Sequence, residues 1–356
     1  MRAEDRRSPV TGHWSRLLAA ALLPLLGACS NVGYYWQSVS GQLDVWRRER
    51  PVEEVIADPV AAPALKDRLK RVLEIRAFAS RELGLPDNGS YRRYADLERP
   101  FVVWNVFAAP EFSVKPLEWC FPFAGCVRYR GYFSREEAER FAAGLAEQGN
   151  DVYVGGVLAY STLGWFSDPV LNTFVNYPEA AVARLIFHEL SHQLVYVSDD
   201  TVFNESFAVT VELEGVRRWF ARSGDTAQLQ EFQRVRRIRA EFASLMLKYR
   251  DRLDALYRTG LAPDAMRERK RAVLAELEPE YRRLKAGWGG FPGYDRWFEK
   301  RSNNAQLASV VAYSQRVPAF EALLEREGGD LERFYAAVKA LAALPKEERE
   351  ARLGKP

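Results

Sequence analysis

Two histidines four residues apart, His188 and His192 in Phe187-His188-Glu189-Leu190-Ser191-His192-Gln193, constrain this chain more than any other feature. Positions i and i+4 lie on one face of an α-helix, so a pair meant to act together commits the segment to a helix. The apolar neighbours Leu185, Ile186, Leu194 and Val195 then supply the face that packs on a core. The sequence holds three histidines, and the remaining one, His13, falls in an N-terminal leader. Neutral imidazole is the commonest metal ligand near neutral pH, and H-E-x-x-H on a helix is the pattern of a zinc hydrolase. The competing reading is two core histidines without a metal. Burying both beside Glu189 would then demand costly hydrogen-bond satisfaction.

A hydrolytic zinc site takes about three protein ligands and keeps one position open, so one Zn2+ per chain is expected. With no histidine left, the third ligand falls to a carboxylate. The best placed is Glu205 in Asn204-Glu205-Ser206-Phe207-Ala208, 13 residues after His192. A turn between two helices would let the second pack on the first and present Glu205 to the metal. Glu212, two turns further on the same face, could accept a histidine's distal N–H and fix its tautomer; a surface carboxylate is the alternative. Glu189 lies beside the first ligand and can serve as general base toward metal-activated water.

The leader sets the compartment. Arg2, Arg6, Arg7 and Arg16 precede an apolar run, Leu17 to Ala28. That run is shorter than the roughly 20 residues a membrane span needs, and it suits a secretory signal. It ends in Leu26-Gly27-Ala28-Cys29, like a bacterial lipoprotein box. Residues 1–28 then read as signal peptide and Cys29 as the lipidated N-terminus, against an ordinary signal with an incidental cysteine. Among lipoproteins, Ser30 after the cysteine implies the periplasmic face of the outer membrane. Cys120 and Cys126 flank a turn-prone stretch in a compartment that permits disulfides, and they read as a disulfide-closed loop or as two buried thiols. Removing the leader, with four Arg against Glu4 and Asp5, takes the net charge from +3 to +1. A near-neutral chain gives no electrostatic case for nucleic acid.

Periodicity organises the remainder. Helices are predicted over 64–83 and from Ser134 to about 148, then from Pro178 through the histidines and over about 203–221. A long helix over 226–257 and a charged one running to about 285 read as a helical hairpin whose arginines and acids form a solvated surface. Residues 91–132 are aromatic and β-branched and predict strands. Another strand is expected within Val157 to Trp165; at a sheet edge a peptide could pair along it and Tyr160, Ser161 and Thr162 would border the cleft, an internal strand being the alternative. Tyr313 is the candidate donor toward the developing oxyanion, a core tyrosine being the alternative. The expected segments are 29–150 (helix and strand), 151–222 (the metal-bearing core), 223–286 (the hairpin) and 287–356 (helical), with 29–356 as one unit.

The lipobox, Gly33-Tyr34-Tyr35 and Cys120 to Cys126 with Tyr129-Arg130-Gly131-Tyr132-Phe133 resemble the bacterial putative aminopeptidase family. So do Ser161 to Pro169, His188 to Gln193 and Asn204 to Ala208. The family is similar to the gluzincin metallopeptidases. The resemblance implies zinc on His188, His192 and Glu205, Glu189 as the catalytic residue, and a preference for exopeptidase action. The interval to Glu205 is shorter than in the thermolysin-like and large aminopeptidase groups, and their amine-anchoring motif is not evident here. The expectation is an α+β, mostly helical protein, with a zincin-like core, a small mixed sheet before the histidine helix and a helical C-terminal half. Functionally it is a lipid-anchored zinc peptidase of the cell envelope acting on peptides. The alternatives are an envelope endopeptidase, or a metal-stabilised envelope protein that binds or assembles with a partner of unknown identity.

Overall fold

A computed structural model of the chain describes residues 33–121, 125–198, 200–299, 301–311 and 316–354. The leader, Cys29 and Tyr313 therefore lie outside the described residues. Two units are distinguished, divided after Arg47. The described part of the first belongs to a helix, α1 (33–48), which carries Tyr34, Tyr35 and the largely exposed Trp36.

The second unit is α+β and mostly helical, in keeping with 63% helix among the described residues. Its first elements are β1 (Arg50–Pro51), α2 (Val52–Ala57), α3 (Pro63–Leu83) and β2 (Arg93–Ala95), followed by β3 (Val103–Pro110), β4 (Trp119–Phe121), β5 (Gly125–Val127) and β6 (Arg130–Tyr132). Then come α4 (Arg135–Glu147), β7 (Asn150–Val157), β8 (Val170–Leu171) and α5 (Asn172–Val175). The helical half is α6 (Glu179–Leu194), α7 (Thr201–Ser223), α8 (Thr226–Tyr257), α9 (Pro263–Ala275) and α10 (Leu277–Gly287), then α11 (Asn304–Val311), α12 (Val317–Arg326), α13 (Leu331–Ala342) and α14 (Lys346–Leu353).

The strands form a mixed sheet in the order β1-β2-β8, an antiparallel sheet in the order β6-β3-β7, and the hairpin β4-β5. Cys120 and Cys126 are disulfide-bonded and face each other across that hairpin. β3 supplies the buried run Val106 to Ala109, and both α4 and α11 pack on β3 and β7. Local chemistry sets the helix ends. Ser134 caps α4 by accepting from the Glu137 N–H, and Gly84 and Gly224 end α3 and α7 in the left-handed conformation.

Two sequence expectations are corrected. No strand runs through Val157 to Trp165: β7 ends at Val157 and residues 158–169 are irregular. The Thr162 hydroxyl both donates to the Phe166 carbonyl and accepts from the Phe166 N–H, while Leu163 and Gly164 turn at φ 55° and 82°. These local bonds take the place of a ladder. The charged helix after α8 is two helices, α9 and α10. Pro279, two residues into α10, has no N–H for the carbonyl of Ala275, so the first helix stops there.

Helices α6 and α7 pack against each other. A Cβ on Gly215 of α7 would lie 2.6 Å from the Phe187 ring and 2.8 Å from a Leu83 methyl. Alanine ordinarily stabilises a helix interior by roughly 0.5–1 kcal/mol over glycine, but overpacking costs about 1–3 kcal/mol. The clash dominates, so Gly215→Ala is expected to lower the urea midpoint. A midpoint at or above wild type would show that the two helices can separate freely at this point.

Candidate metal centre

Helix α6 places Arg184, His188 and His192 at successive four-residue steps on one face, and buries Val182, Ile186, Phe187 and Leu190. The returning helix is fixed at its first turn. The Asn204 side chain grips one backbone residue of the turn: its Nδ2 donates to the Val197 carbonyl at 2.7 Å, and its Oδ1 accepts from the Val197 N–H at 2.8 Å. Asp200 caps α7 by accepting from the Phe203 N–H at 3.1 Å. Its other oxygen accepts from Arg349 of α14, from Nε at 3.0 Å and Nη2 at 2.9 Å, with both side chains buried. Glu205 stands one residue past Asn204, and these clamps decide where it points.

The three candidate ligands meet. His188 Nε2 and His192 Nε2 are 3.2 Å apart, and the Glu205 carboxylate lies 3.3 Å from the first and 3.7 Å from the second. Tetrahedral zinc with bonds of about 2.0–2.1 Å separates its ligand atoms by roughly 3.3 Å. The 3.3 Å contact is made by Glu205 Oε2 and the 3.7 Å contact by Oε1, so the two imidazoles and the carboxylate stand close enough to share one ion. Among the described residues this is the group able to hold a metal ion.

Protonation points the same way. His188 Nδ1 is 2.9 Å from Glu212 Oε2. A carboxylate only accepts, so Nδ1 carries the proton and Nε2 of the neutral ring is a lone pair. That lone pair faces an acidic oxygen and a second imidazole nitrogen, an arrangement that calls for a cation between them. Without a metal the cation is a proton. Burial works against it, but bonds to Glu205 and Glu212 and their charges hold the His188 pKa well above the ordinary value. Burial, and then the charge on His188, push His192 down to about 4, so its ring stays neutral and available. The cost of burying Glu212 is outweighed by Arg184 and His188, which keep it ionised. His192 Nδ1 is buried and has no hydrogen-bond partner among the described residues.

Glu189 is partly buried and has no hydrogen-bond partner among the described residues. Burial pushes its pKa up to about 7, with Glu205 and Asp168 adding to the effect and His188 opposing it. A carboxylate poised there is suited to exchanging a proton near neutral pH.

Ser161 and Thr162 act within their own loop. The Thr162 N–H donates to both oxygens of buried Asp168, at 3.1 and 3.2 Å, and Ser161 also bonds that carboxylate. Burial lifts Asp168 to about 6. Asp168 in turn accepts from Gln193 of α6 at 3.4 Å, which ties the loop to the residue after His192. The Tyr160 ring packs edge-on against Phe133.

Sequence reasoning missed Asn204, Asp200 and Arg349, which aim the third ligand, and Arg184, which shares Glu212. It also missed Tyr91, buried at φ 63° with its hydroxyl unpartnered among the described residues. Burial, then the charges of Glu189 and Asp168, raise the Tyr91 pKa. A positive φ at a bulky residue costs about 1–3 kcal/mol and persists where its surroundings enforce it. Here the Tyr91 N–H is held by the Asp168 carbonyl at 2.6 Å. Arg184 had a readable signal, one helical turn before His188; Tyr91 had none.

No curated protein and no solved structure matches the chain. The model of the putative aminopeptidase family does match, over residues 33–353, and the chain belongs to that family.

Proposed function

We propose that this chain is a zinc-dependent peptidase with a zincin-like core, acting as an aminopeptidase. The observation that carries the reading is the meeting of His188, His192 and Glu205, the two Nε2 atoms 3.2 Å apart and the Glu205 carboxylate 3.3 and 3.7 Å from them through its two oxygens, beside an uncommitted carboxylate. The family membership supports peptidase chemistry. His188, His192 and Glu205 would hold the ion, and Glu212 would keep the His188 tautomer fixed. When bound, zinc supplies Lewis acidity, bringing water's pKa to about 7 and polarising the scissile carbonyl. Glu189 takes the proton of the attacking water and returns it to the departing amine, a transfer its pKa of about 7 favours in both directions. The test is metal analysis of the purified chain together with cleavage of a peptide library bearing free or blocked N-termini. Release of N-terminal residues from the free set alone supports the reading; no bound metal and no cleavage would end it.

The same reading places the protein in the cell envelope, held by lipid on Cys29 and facing the periplasm. The Cys120–Cys126 disulfide supports an oxidising compartment. Cys29→Ser is expected to move the protein from the membrane pellet to the soluble fraction. Retention of the variant in the pellet would remove the lipid anchor.

A further inference from the structure

Helix α1 shows an apolar stripe to solvent. Trp36, Val39, Leu43 and Trp46 are exposed, Trp36 at 74% and Val39 at 55%. Their intervals of three, four and three residues put them on one helical face. Gln37 and Val45 are buried on the opposite side. This inverts the usual pattern, in which a helix turns its apolar stripe to a core. Between Tyr34 and Trp46 the one charged residue is Asp44, which lies off the stripe, and exposed Arg47 adjoins its end. Exposed apolar faces mark a protein partner or a membrane. Three features select lipid. The stripe carries tryptophan at both ends, and that amphipathic ring favours the membrane–water interface. From Trp36 to Trp46 it runs about 15 Å along the helix, so the face is offered side-on, as an interfacial helix lies. Cys29 precedes Gly33 by four residues, so α1 starts within about 14 Å of the residue that would carry the lipid.

We propose that α1 is an interfacial helix whose face of Trp36, Val39, Leu43 and Trp46 rests in the headgroup layer of an anionic bilayer, with Arg47 toward the lipid phosphates. The choice of lipid as the occupant rests on the acylation of Cys29 proposed above; the exposed stripe does not. A tether makes the contact intramolecular, so a weak face is enough once the chain is anchored. Leu43 and Trp46 are only 37% and 36% exposed. The face therefore seats an anchored helix without capturing the protein from solution, and Cys29→Ser should still leave the membrane.

The experiment puts an environment-sensitive dye on the full lipidated chain, at Val39→Cys on the stripe or at Ser38→Cys on another face, with Cys120 and Cys126 left as the disulfide. The protein is reconstituted into vesicles of phosphatidylethanolamine and phosphatidylglycerol, with or without nitroxide-bearing lipid. An interfacial face sits about 5–10 Å into the headgroup and acyl boundary. The dye at 39 should therefore shift to the blue, and a nitroxide high on the acyl chain should quench it more than one at the chain's end. The dye at 38 should do neither, and adding Trp36→Ser and Leu43→Ser to Val39→Cys should abolish the shift. If both positions stay wet while the protein remains with the vesicles, the face is overturned and the anchor stands. A dye at 39 that is already shifted in the soluble Cys29→Ser chain means that a second copy covers the stripe, which also overturns it. The anchor is read separately, from the mass of residue 29. An unmodified cysteine sinks that reading, and the dye at 39, wet or dry against added vesicles, still decides the face.

Discussion

Glu189→Gln is expected to keep one equivalent of zinc and lose about 10²–10⁴-fold in hydrolysis, the range that a positioned general base contributes. Metal retention follows from the geometry: Glu189 is outside the group formed by His188, His192 and Glu205. Glutamine keeps the volume but cannot take a proton. The substitution also removes a carboxylate that burial holds at a pKa of about 7, so the fold should not suffer. Zinc content and kcat are measured on the same preparation. Activity within threefold of wild type would transfer the base to another group; loss of metal would make Glu189 a ligand.

Glu205→Ala should abolish stoichiometric zinc, since two imidazoles are too few for a closed hydrolytic site. The informative comparison is Glu212→Gln, which leaves all three donors and removes only the carboxylate behind His188. Such outer partners typically account for 10–100-fold in affinity. The expected order of zinc affinity is therefore wild type, then Glu212→Gln, then Glu205→Ala, read by competition with a chelating dye. Thermal unfolding gives a second measure. A ligand at 1,000 times its Kd stabilises the folded state by about 4 kcal/mol, so excess zinc should raise the wild-type Tm and leave that of Glu205→Ala unchanged. Full zinc occupancy in Glu205→Ala would remove it from the ligand set.

What the sequence disclosed and what it hid divide by the range of the forces involved. The helices of the histidines and of Glu205 were legible because apolar spacing and the opening Pro178 act within one or two turns. The third ligand was reached by elimination, because histidine had run out. The loop at 158–169 was misread as strand because its glycines and aromatics fit both states, and bonds to Asp168 and Gln193 decide between them. Pro279 was visible and should have divided the charged helix. Tyr91 and Arg349 were unreadable in principle: each reaches its partner, Asp168 or Asp200, from a distant segment, with no local pattern to mark it.

The Asp200–Arg349 pair has a consequence for how the protein comes into being. The helix that carries Glu205 is capped by Asp200, and Asp200 is held by a residue 149 positions further on. Removing one partner of a buried pair costs several kcal/mol, so a chain emerging only as far as residue 340 owns every donor but not the fastening that aims the third. On the proposed reading, metal capture would then wait for the last helix, and a copy lacking α14 would hold its third ligand loosely.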